Sequence, residues 1–165
     1  MLTLRLILFG FFTLFVQESQ AQQNCLQPMH EKDTSLQSQN VFGEPLESCC
    51  LDPMTGYFRD GFCHTGPSDL GTHVVCAIVT DEFLAYSQSR GNDLITPRPD
   101  YRFPGLKAGD GWCLCISRWL EAERAGVAPP IRLASTHKNA LQYCDLELLQ
   151  KYAWTDNGQQ ISNRE

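Results

Sequence analysis

The sequence has no apolar run long enough to cross a membrane, no cluster of Lys or Arg, and no Asn-x-Ser/Thr acceptor for N-linked sugar. Its longest apolar stretch covers only residues 6–16, whereas a bilayer core of roughly 30 Å needs about 20 residues. Nucleic acids need a basic stripe, but the chain has 13 basic and 19 acidic side chains and a net charge of −6. From these absences we predict that the protein has no membrane span and no nucleic-acid partner.

Three common catalytic signatures are also missing. The chain has no His-Glu-x-x-His, no Gly-x-Ser-x-Gly and no Cys-x-x-Cys sequence. The first is typical of zinc proteases, the second of serine hydrolases and the third of dithiol redox proteins. These enzyme types are therefore disfavoured.

The N-terminus has the three parts of a secretory signal peptide. Arg5 precedes the apolar stretch 6–16, and small residues at Ser19 and Ala21 suit a cleavage site. We predict that residues 1–21 are removed after Ala21 and that the mature chain is secreted or extracytoplasmic.

The remaining chain divides by composition into an arm, one domain and a tail. Residues 22–39 are rich in Gln, Ser and charge, as expected of an N-terminal arm. Residues 40–153 have a length that suits a single hydrophobic core. Residues 154–165 are predicted to be a polar C-terminal tail.

Short patterned segments within the domain predict an α+β fold with a limited β-sheet, several short helices and long ordered loops. The β-branched run 74–79 is typical of a buried strand, and 131–135 alternates like a second one. Thr80 is a candidate N-cap of a helix that ends at Gly91. Asp145 is the predicted cap of the last helix.

The segment between Asp110 and Gly126 is consistent with two structures. The favoured interpretation is one helix capped by Asp110 and closed by Gly126. The alternative is a strand, which would place Cys113 and Cys115 on one face. Before this segment, residues 91–111 contain three prolines and four glycines. They are predicted to be a long loop, either a wrap over the core or a functional loop.

A polar loop is the most informative candidate site. Arg59, Asp60, Asp69 and His73 lie among glycines, and packing alone seldom requires these residue types. We predict that the 59–76 loop, together with His137, binds a small polar ligand or ion. The alternative is a loop whose polar groups bond internally, with His137 only capping a helix.

Cysteine and histidine side chains offer two further kinds of site. A zinc site is one interpretation of a set suited in type to the metal. A thiol enzyme is the other: Cys63 or Cys115 as nucleophile, His73 or His137 as base and Asp69 orienting the base. The alternative to both is a set of disulfides and buried thiols, as expected after export. The candidate metal or thiol set is Cys63, His73, Cys76, Cys113, Cys115 and His137.

Several long motifs resemble one uncharacterised family, domain of unknown function 2237. They include D-P-M-T-G-Y-F-R-D-G-F-C-H-T-G, D-L-G-T-H-V-V-C-A-I-V-T-D-E-F-L and F-P-G-L-K-A-G-D-G-W-C-L-C-I-S-R-W. The resemblance extends from about Asn40 to about Ala153 and implies no reaction, ligand or partner. The positions that match the family pattern are Cys49, Arg59, Asp60, Cys63, Asp69, His73, Cys76, Cys113, Cys115, Arg118 and His137.

This resemblance divides the eight cysteines into five that match the family pattern and three that do not. Five cannot all be paired with one another. We predict that the three others, Cys25, Cys50 and Cys144, form extra disulfides suited to export. The pairing itself stays open at this point.

The combined hypothesis is a secreted, disulfide-stabilised domain that binds a small polar ligand or ion. The alternatives are a metal- or thiol-dependent enzyme and a structural or interaction protein without a pocket.

Overall fold

The computed structural model of the protein describes residues 38–155. The predicted signal peptide, Cys25 and most of the predicted arm and tail lie outside these residues. The described part has a small antiparallel sheet, three α-helices and short 3-10 helices. The α+β fold class is therefore confirmed. None of the helices in residues 38–155 is both long and apolar enough to cross a membrane.

The sheet consists of two short buried strands. Strand β1 is Val75–Ile78 and strand β2 is Gly111–Leu114. They pair antiparallel, with Val75 opposite Leu114 and Cys76 opposite Cys113. Every residue of both strands is buried, as expected for the continuous β-branched run that predicts β1.

Helix α1, Asp81–Ser89, begins and ends as its sequence predicts. The Thr80 hydroxyl accepts a hydrogen bond from the Phe83 N–H at 3.1 Å, which satisfies one free donor of the first turn. Gly91 follows the helix with φ +80°, a left-handed conformation that glycine adopts without steric cost.

Helix α2, Ile116–Arg124, starts only after β2 has ended. The prediction of one helix from Asp110 onward is therefore wrong over its first part, and the strand alternative is correct for 111–114. The Asp110 carboxylate accepts from the Lys107 N–H at 3.0 Å, so it closes a turn instead of capping a helix. Pairing with β1 then keeps the chain extended.

The second predicted strand, 131–135, does not form. Ile131 makes single bridges to Ala77 and to Ala153, and Leu133–Ser135 is a 3-10 turn. The pairing ends at once because the chain turns away from β1 after one residue pair.

The C-terminal part ends in two short helices. Lys138–Gln142 is a 3-10 helix that follows His137. Helix α3, Leu146–Lys151, is capped as predicted, since the Asp145 carboxylate accepts from the Leu148 N–H at 2.8 Å.

Two buried clusters support the fold. The main core packs the helices against the sheet, and a separate cluster contains only cysteines. The largest fully buried members of the main core are Phe83, Ile116, Trp119, Ile131 and Leu149. The cysteine cluster is formed by Cys49, Cys63, Cys76 and Cys113.

Candidate functional site

The cysteine cluster is a pair of adjacent disulfides. Cys49 is bonded to Cys76 of β1, and Cys63 is bonded to Cys113 of β2. Since Cys76 and Cys113 lie opposite each other in the sheet, both bonds attach the loop before β1 to the same place. Thr55, between Cys49 and Cys63 in the sequence, is fully buried, and its hydroxyl accepts from the Cys113 N–H at 2.8 Å.

These disulfide bonds argue against a zinc site in the cysteine cluster. The sulfurs of Cys49, Cys63 and Cys76 lie within 4.8 Å of one another, close enough to suggest a metal site. Zinc binds thiolates, however, and sulfurs joined in disulfides are not thiolates. The predicted metal set is therefore divided: Cys63, Cys76 and Cys113 are structural, and of its cysteines only Cys115 has a free thiol.

Cys144 corrects the prediction of three extra disulfide cysteines. Cys50 is disulfide-bonded, but Cys144 is a free thiol. It packs against the main core, apart from the cysteine cluster, and its Sγ lies 3.8 Å from the Ala140 carbonyl. Burial, and then the negative charges of Asp145 and Glu123, raise the pKa of this thiol.

Asp69 organises the end of the polar loop. Its carboxylate is fully buried and accepts from the Thr65 hydroxyl at 3.0 Å and from the His73 N–H at 2.8 Å. Its other oxygen lies 2.6 Å from His73 Nδ1. Burial acts to raise the pKa of Asp69, but the bonds from His73 and Thr65 outweigh it and the pKa is lowered.

His73 joins Asp69 to the free thiol of Cys115. Interaction with the Cys115 side chain is the largest cause of a rise in the pKa of His73 to about 9. Burial acts against the rise, while the charges of Cys115 and Asp69 add to it. His73 is therefore an imidazolium at neutral pH.

The local structure leaves room for this contact. Cys115 is the N-cap residue of α2, yet its side chain makes no capping hydrogen bond, so the sulfur is left for His73. Gly71 lies against the pair: a β-carbon there would be 2.5 Å from His73 Cε1 and 3.0 Å from Cys115 Sγ. Only glycine fits without displacing one of them.

A cleft of about 330 Å³ opens beside His73. Its aromatic lining consists of Tyr57, Tyr101, Phe103 and Trp112. Tyr57 also stacks on the His73 ring, with centroids 6.0 Å apart. The cleft thus lies between the polar loop, the 91–111 loop and strand β2.

The charged side chains of the cleft are mostly cationic. Arg59 lies over Trp112, 4.9 Å from the ring centroid, and burial lowers its pKa. Arg98 projects from the 91–111 loop and is exposed. Among residues 38–155, neither guanidinium has a carboxylate within ion-pair distance.

Within residues 38–155, Asp93 is the one acidic side chain that lines the cleft. Its carboxylate accepts from the Ile95 and Thr96 N–H groups, both at 3.0 Å. Hydrogen bonds with Thr96, the largest cause, and Ile95 lower the pKa of Asp93 to about 2. Asp93 is therefore charged but bonded to its own loop. Arg59, Arg98 and His73 give the cleft an excess of positive charge.

Two predicted site residues lie elsewhere. The Asp60 carboxylate accepts from the Phe62 N–H at 3.0 Å and does not line the cleft. His137 is buried, and its Nδ1 accepts from the Asn139 N–H at 3.1 Å. Burial, the largest cause, lowers the pKa of His137, so this ring is a neutral helix cap, as the alternative interpretation had it.

Sequence reasoning missed Tyr57, Arg98, Tyr101 and Trp112 as cleft residues. The signal available for Arg98 and Tyr101 was the length of the 91–111 loop, which is unusual in a compact domain. Nothing in the spacing indicated that this loop faces the 59–76 loop.

Comparison with known proteins gives a family. A family model described as "Uncharacterized protein conserved in bacteria (DUF2237)" matches residues 39–153. No curated protein matches the chain.

Proposed function

The chain belongs to the DUF2237 family, and we propose that this member binds a small organic anion in the cleft beside His73. One observation carries the proposal: a chain of net charge −6 places Arg59, Arg98 and a protonated His73 around one concave, aromatic surface. An acidic protein concentrates positive charge in this way at the cost of repulsion among the cations, which a bound anion relieves.

The two arginines suit an oxyanion. A guanidinium presents several N–H donors in a plane and pairs with carboxylate or phosphate through two hydrogen bonds. Arg59 is already held by Trp112 and by a 3.2 Å bond from Nη1 to the Met54 carbonyl. Less conformational entropy is then lost when it binds a ligand.

The aromatic side chains suit a flat, partly apolar ligand. Phe103 and Trp112 are each 8% exposed and form the inner wall, whereas Tyr101 is 72% exposed at the rim. A small ring or planar group can contact this wall while its charged end meets the arginines. The volume of about 330 Å³ limits the ligand to a small molecule.

Rigidity of the walls favours binding over a purely structural role. The disulfide Cys63–Cys113 ends at a residue that lines the cleft. Since the loop carrying Tyr57 and Arg59 is attached to the sheet on both sides, the cleft is formed before any ligand arrives.

The experiment is a binding measurement with phenyl phosphate and benzoate, using benzylamine as the charge-reversed probe. We expect the two anions to quench Trp112 fluorescence and benzylamine to have no effect. Arg98→Gln should weaken anion binding about tenfold, the loss of about 1.4 kcal/mol. Arg124→Gln, on an exposed residue of α2 outside the cleft, is the matched control.

Two results would overturn this proposal. One is that neither anion binds at concentrations up to the millimolar range. The other is an equal effect of Arg98→Gln and Arg124→Gln, which would mean that the cleft does not hold the ligand.

The disulfides suggest an extracytoplasmic environment. We propose that residues 1–21 direct the chain there and are then removed. Expression of the full chain in a bacterium, followed by intact-mass measurement of the exported protein, should give a mature N-terminus at Gln22. Retention of residues 1–21 in the exported protein would contradict the proposal.

A further inference from the structure

We propose that Cys115 is a catalytic nucleophile, with His73 as its acid–base partner and Asp69 as the positioning residue, and that it hydrolyses a small anionic ester or thioester. The anionic class of the substrate rests on the proposed function of the cleft. The nucleophile itself rests on the separate arrangement of Cys115, His73 and Asp69.

The arrangement has the three parts that a thiol nucleophile needs. The sulfur is partly exposed and unpaired. It lies beside an imidazole, since a β-carbon on Gly71 would be 3.0 Å from Cys115 Sγ and 2.5 Å from His73 Cε1, and the imidazole is held by a carboxylate at 2.6 Å. Nucleophile, base and orienting acid in this order form the arrangement of cysteine and serine acyl-transfer enzymes.

Asp69 is well placed to keep His73 in one orientation. Its carboxylate is fully buried while the His73 side chain is 34% exposed, so the ring has one fixed edge and one open edge. Thr65 and the His73 N–H bind the second carboxylate oxygen. Because Nδ1 is engaged by Asp69, the other ring nitrogen is the one left to exchange a proton.

The position of Cys115 at the start of α2 also suits a nucleophilic thiol. A helix N-terminus carries partial positive charge, and thiolates at such positions next to an imidazolium are the reactive ones. The Cys115 sulfur is not used in capping. The helix N-terminus and the His73 ring therefore both lie close to the sulfur.

The neighbouring cleft provides a binding site for the substrate of this nucleophile. His73 lines the cleft and lies beside Cys115 at Gly71, so it connects the thiol to the cationic, aromatic surface. An acyl group with a carboxylate or phosphate at its far end would meet Arg59 or Arg98 there.

The reaction is a two-step hydrolysis. The Cys115 thiolate attacks the carbonyl carbon, a C–S bond forms, and the bond to the leaving oxygen or sulfur breaks as His73 gives that atom a proton. Water, deprotonated by His73, then attacks the acyl carbon. The C–S bond breaks, which restores the thiolate and releases a carboxylic acid.

Cys144 is a comparison within the same chain. It is also a free, partly buried thiol, but burial and nearby carboxylates raise its pKa. It should therefore react slowly near neutral pH, whereas Cys115 should react fast.

The first test is alkylation of the full chain by iodoacetamide between pH 5 and pH 9, with the sites identified by peptide mass. The titratable groups that face His73 are Asp69, Cys115 and Tyr57. At pH 6.5 we expect Cys115 to react at least tenfold faster than Cys144. His73→Gln should slow it at least tenfold and give it the pH profile of an ordinary thiol.

Asp69→Asn tests positioning. We expect a smaller loss of Cys115 reactivity than in His73→Gln, together with a fall in the pKa of His73 followed by NMR. A merely structural role of Asp69 would change stability without moving that pKa, and that result would overturn its assignment.

The second test uses mono-p-nitrophenyl succinate, an activated ester with a free carboxylate, and neutral p-nitrophenyl acetate. We expect a burst of p-nitrophenolate, an acyl adduct on Cys115 and faster turnover of the anionic ester. Cys115→Ser should abolish adduct and turnover, and Cys144→Ser should leave both unchanged.

The outcomes separate the two proposals. If phenyl phosphate binds but Cys115 reacts no faster than Cys144, or reacts fast yet forms no acyl adduct, this inference is overturned and the proposed binding stands. If both esters acylate Cys115 at equal rates and neither phenyl phosphate nor benzoate binds, the anionic substrate class and the proposed function fail together while the nucleophile stands.

Discussion

At the scale of single residues, His73 couples the charge of the site to the stability of the fold. Its pKa is raised from 6.5 to about 9, so the stabilisation is fully present below pH 6.5 and is lost as pH rises through 9. The shift corresponds to at most about 3.4 kcal/mol. Since a third of the side chain is exposed, screening reduces the expected effect to about 1–2 kcal/mol.

Urea unfolding at pH 6, 7.5 and 9 measures this effect. We expect the free energy of unfolding to fall across the series in the native chain and to stay flatter in His73→Gln. Cys115→Ser should also flatten it, because the interaction with Cys115 is the largest cause of the shift. Identical slopes in all three proteins would contradict the raised pKa of His73.

Gly71→Ala is the second prediction at this scale. The added β-carbon would lie 2.5 Å from His73 Cε1 and 3.0 Å from Cys115 Sγ, so it should separate the two side chains. We expect the pKa of His73, followed by NMR, to fall toward 6.5. Gly66→Ala in the same loop meets only Phe58 Cζ at 3.8 Å and should leave that pKa unchanged.

The identities of the site residues were predictable, but their grouping was not. Cys115, His73 and Asp69 were among the candidates for a thiol enzyme, alongside Cys63 and His137. His73 and Cys115 meet because Val75 pairs with Leu114, a register between distant segments that no local pattern indicates. Cys63 and His137 are excluded by a disulfide and by a capping bond, which also depend on the tertiary fold.

At the scale of elements, local signals were reliable where a cap could be seen. Thr80 and Asp145 start their helices as predicted because a capping side chain needs only its own turn. The boundary between β2 and α2 was missed because the extended state of Gly111–Leu114 depends on β1. The strand predicted for 131–135 does not form because a strand needs a partner along its length. Ile131 is the one residue of this segment that forms bridges, to Ala77 and Ala153.

The disulfide Cys63–Cys113 gives the prediction at this scale. It closes 50 residues of chain, and a bond of that span is worth about 2–4 kcal/mol. We expect the double variant Cys63→Ser/Cys113→Ser to lose that much stability in urea unfolding. Cys144→Ser, which removes an unbonded thiol, should change it by less than about 1 kcal/mol; an equal loss in both would contradict this assignment.

At the scale of the whole molecule, charge is distributed unevenly. The chain is acidic overall, while the cleft carries Arg59, Arg98 and His73 against Asp93. The net acidity predicted the absence of a nucleic-acid partner but gave no indication of a local cationic surface. Composition reports the sum of the charges, whereas a binding site depends on where the fold places them.

Salt therefore provides a test at this scale. The Debye length shortens from about 10 Å at 0.1 M to about 3 Å at 1 M, which screens the cations of the cleft. We expect the Kd for phenyl phosphate to rise several-fold between 0.05 and 0.5 M NaCl, while phenol, the neutral probe, shows little change. A Kd independent of salt would contradict electrostatic binding in the cleft.

The double attachment of the polar loop has a consequence for hydrogen exchange. The segment from Cys49 to Cys63 lacks helix and strand, yet Cys49, Thr55 and Cys63 are completely buried. Several of its N–H groups are bonded within the loop, as from Cys49 to the Gly61 carbonyl at 2.7 Å. We expect these bonded amides to exchange with deuterium only when the sheet opens, as part of the most protected unit of the protein.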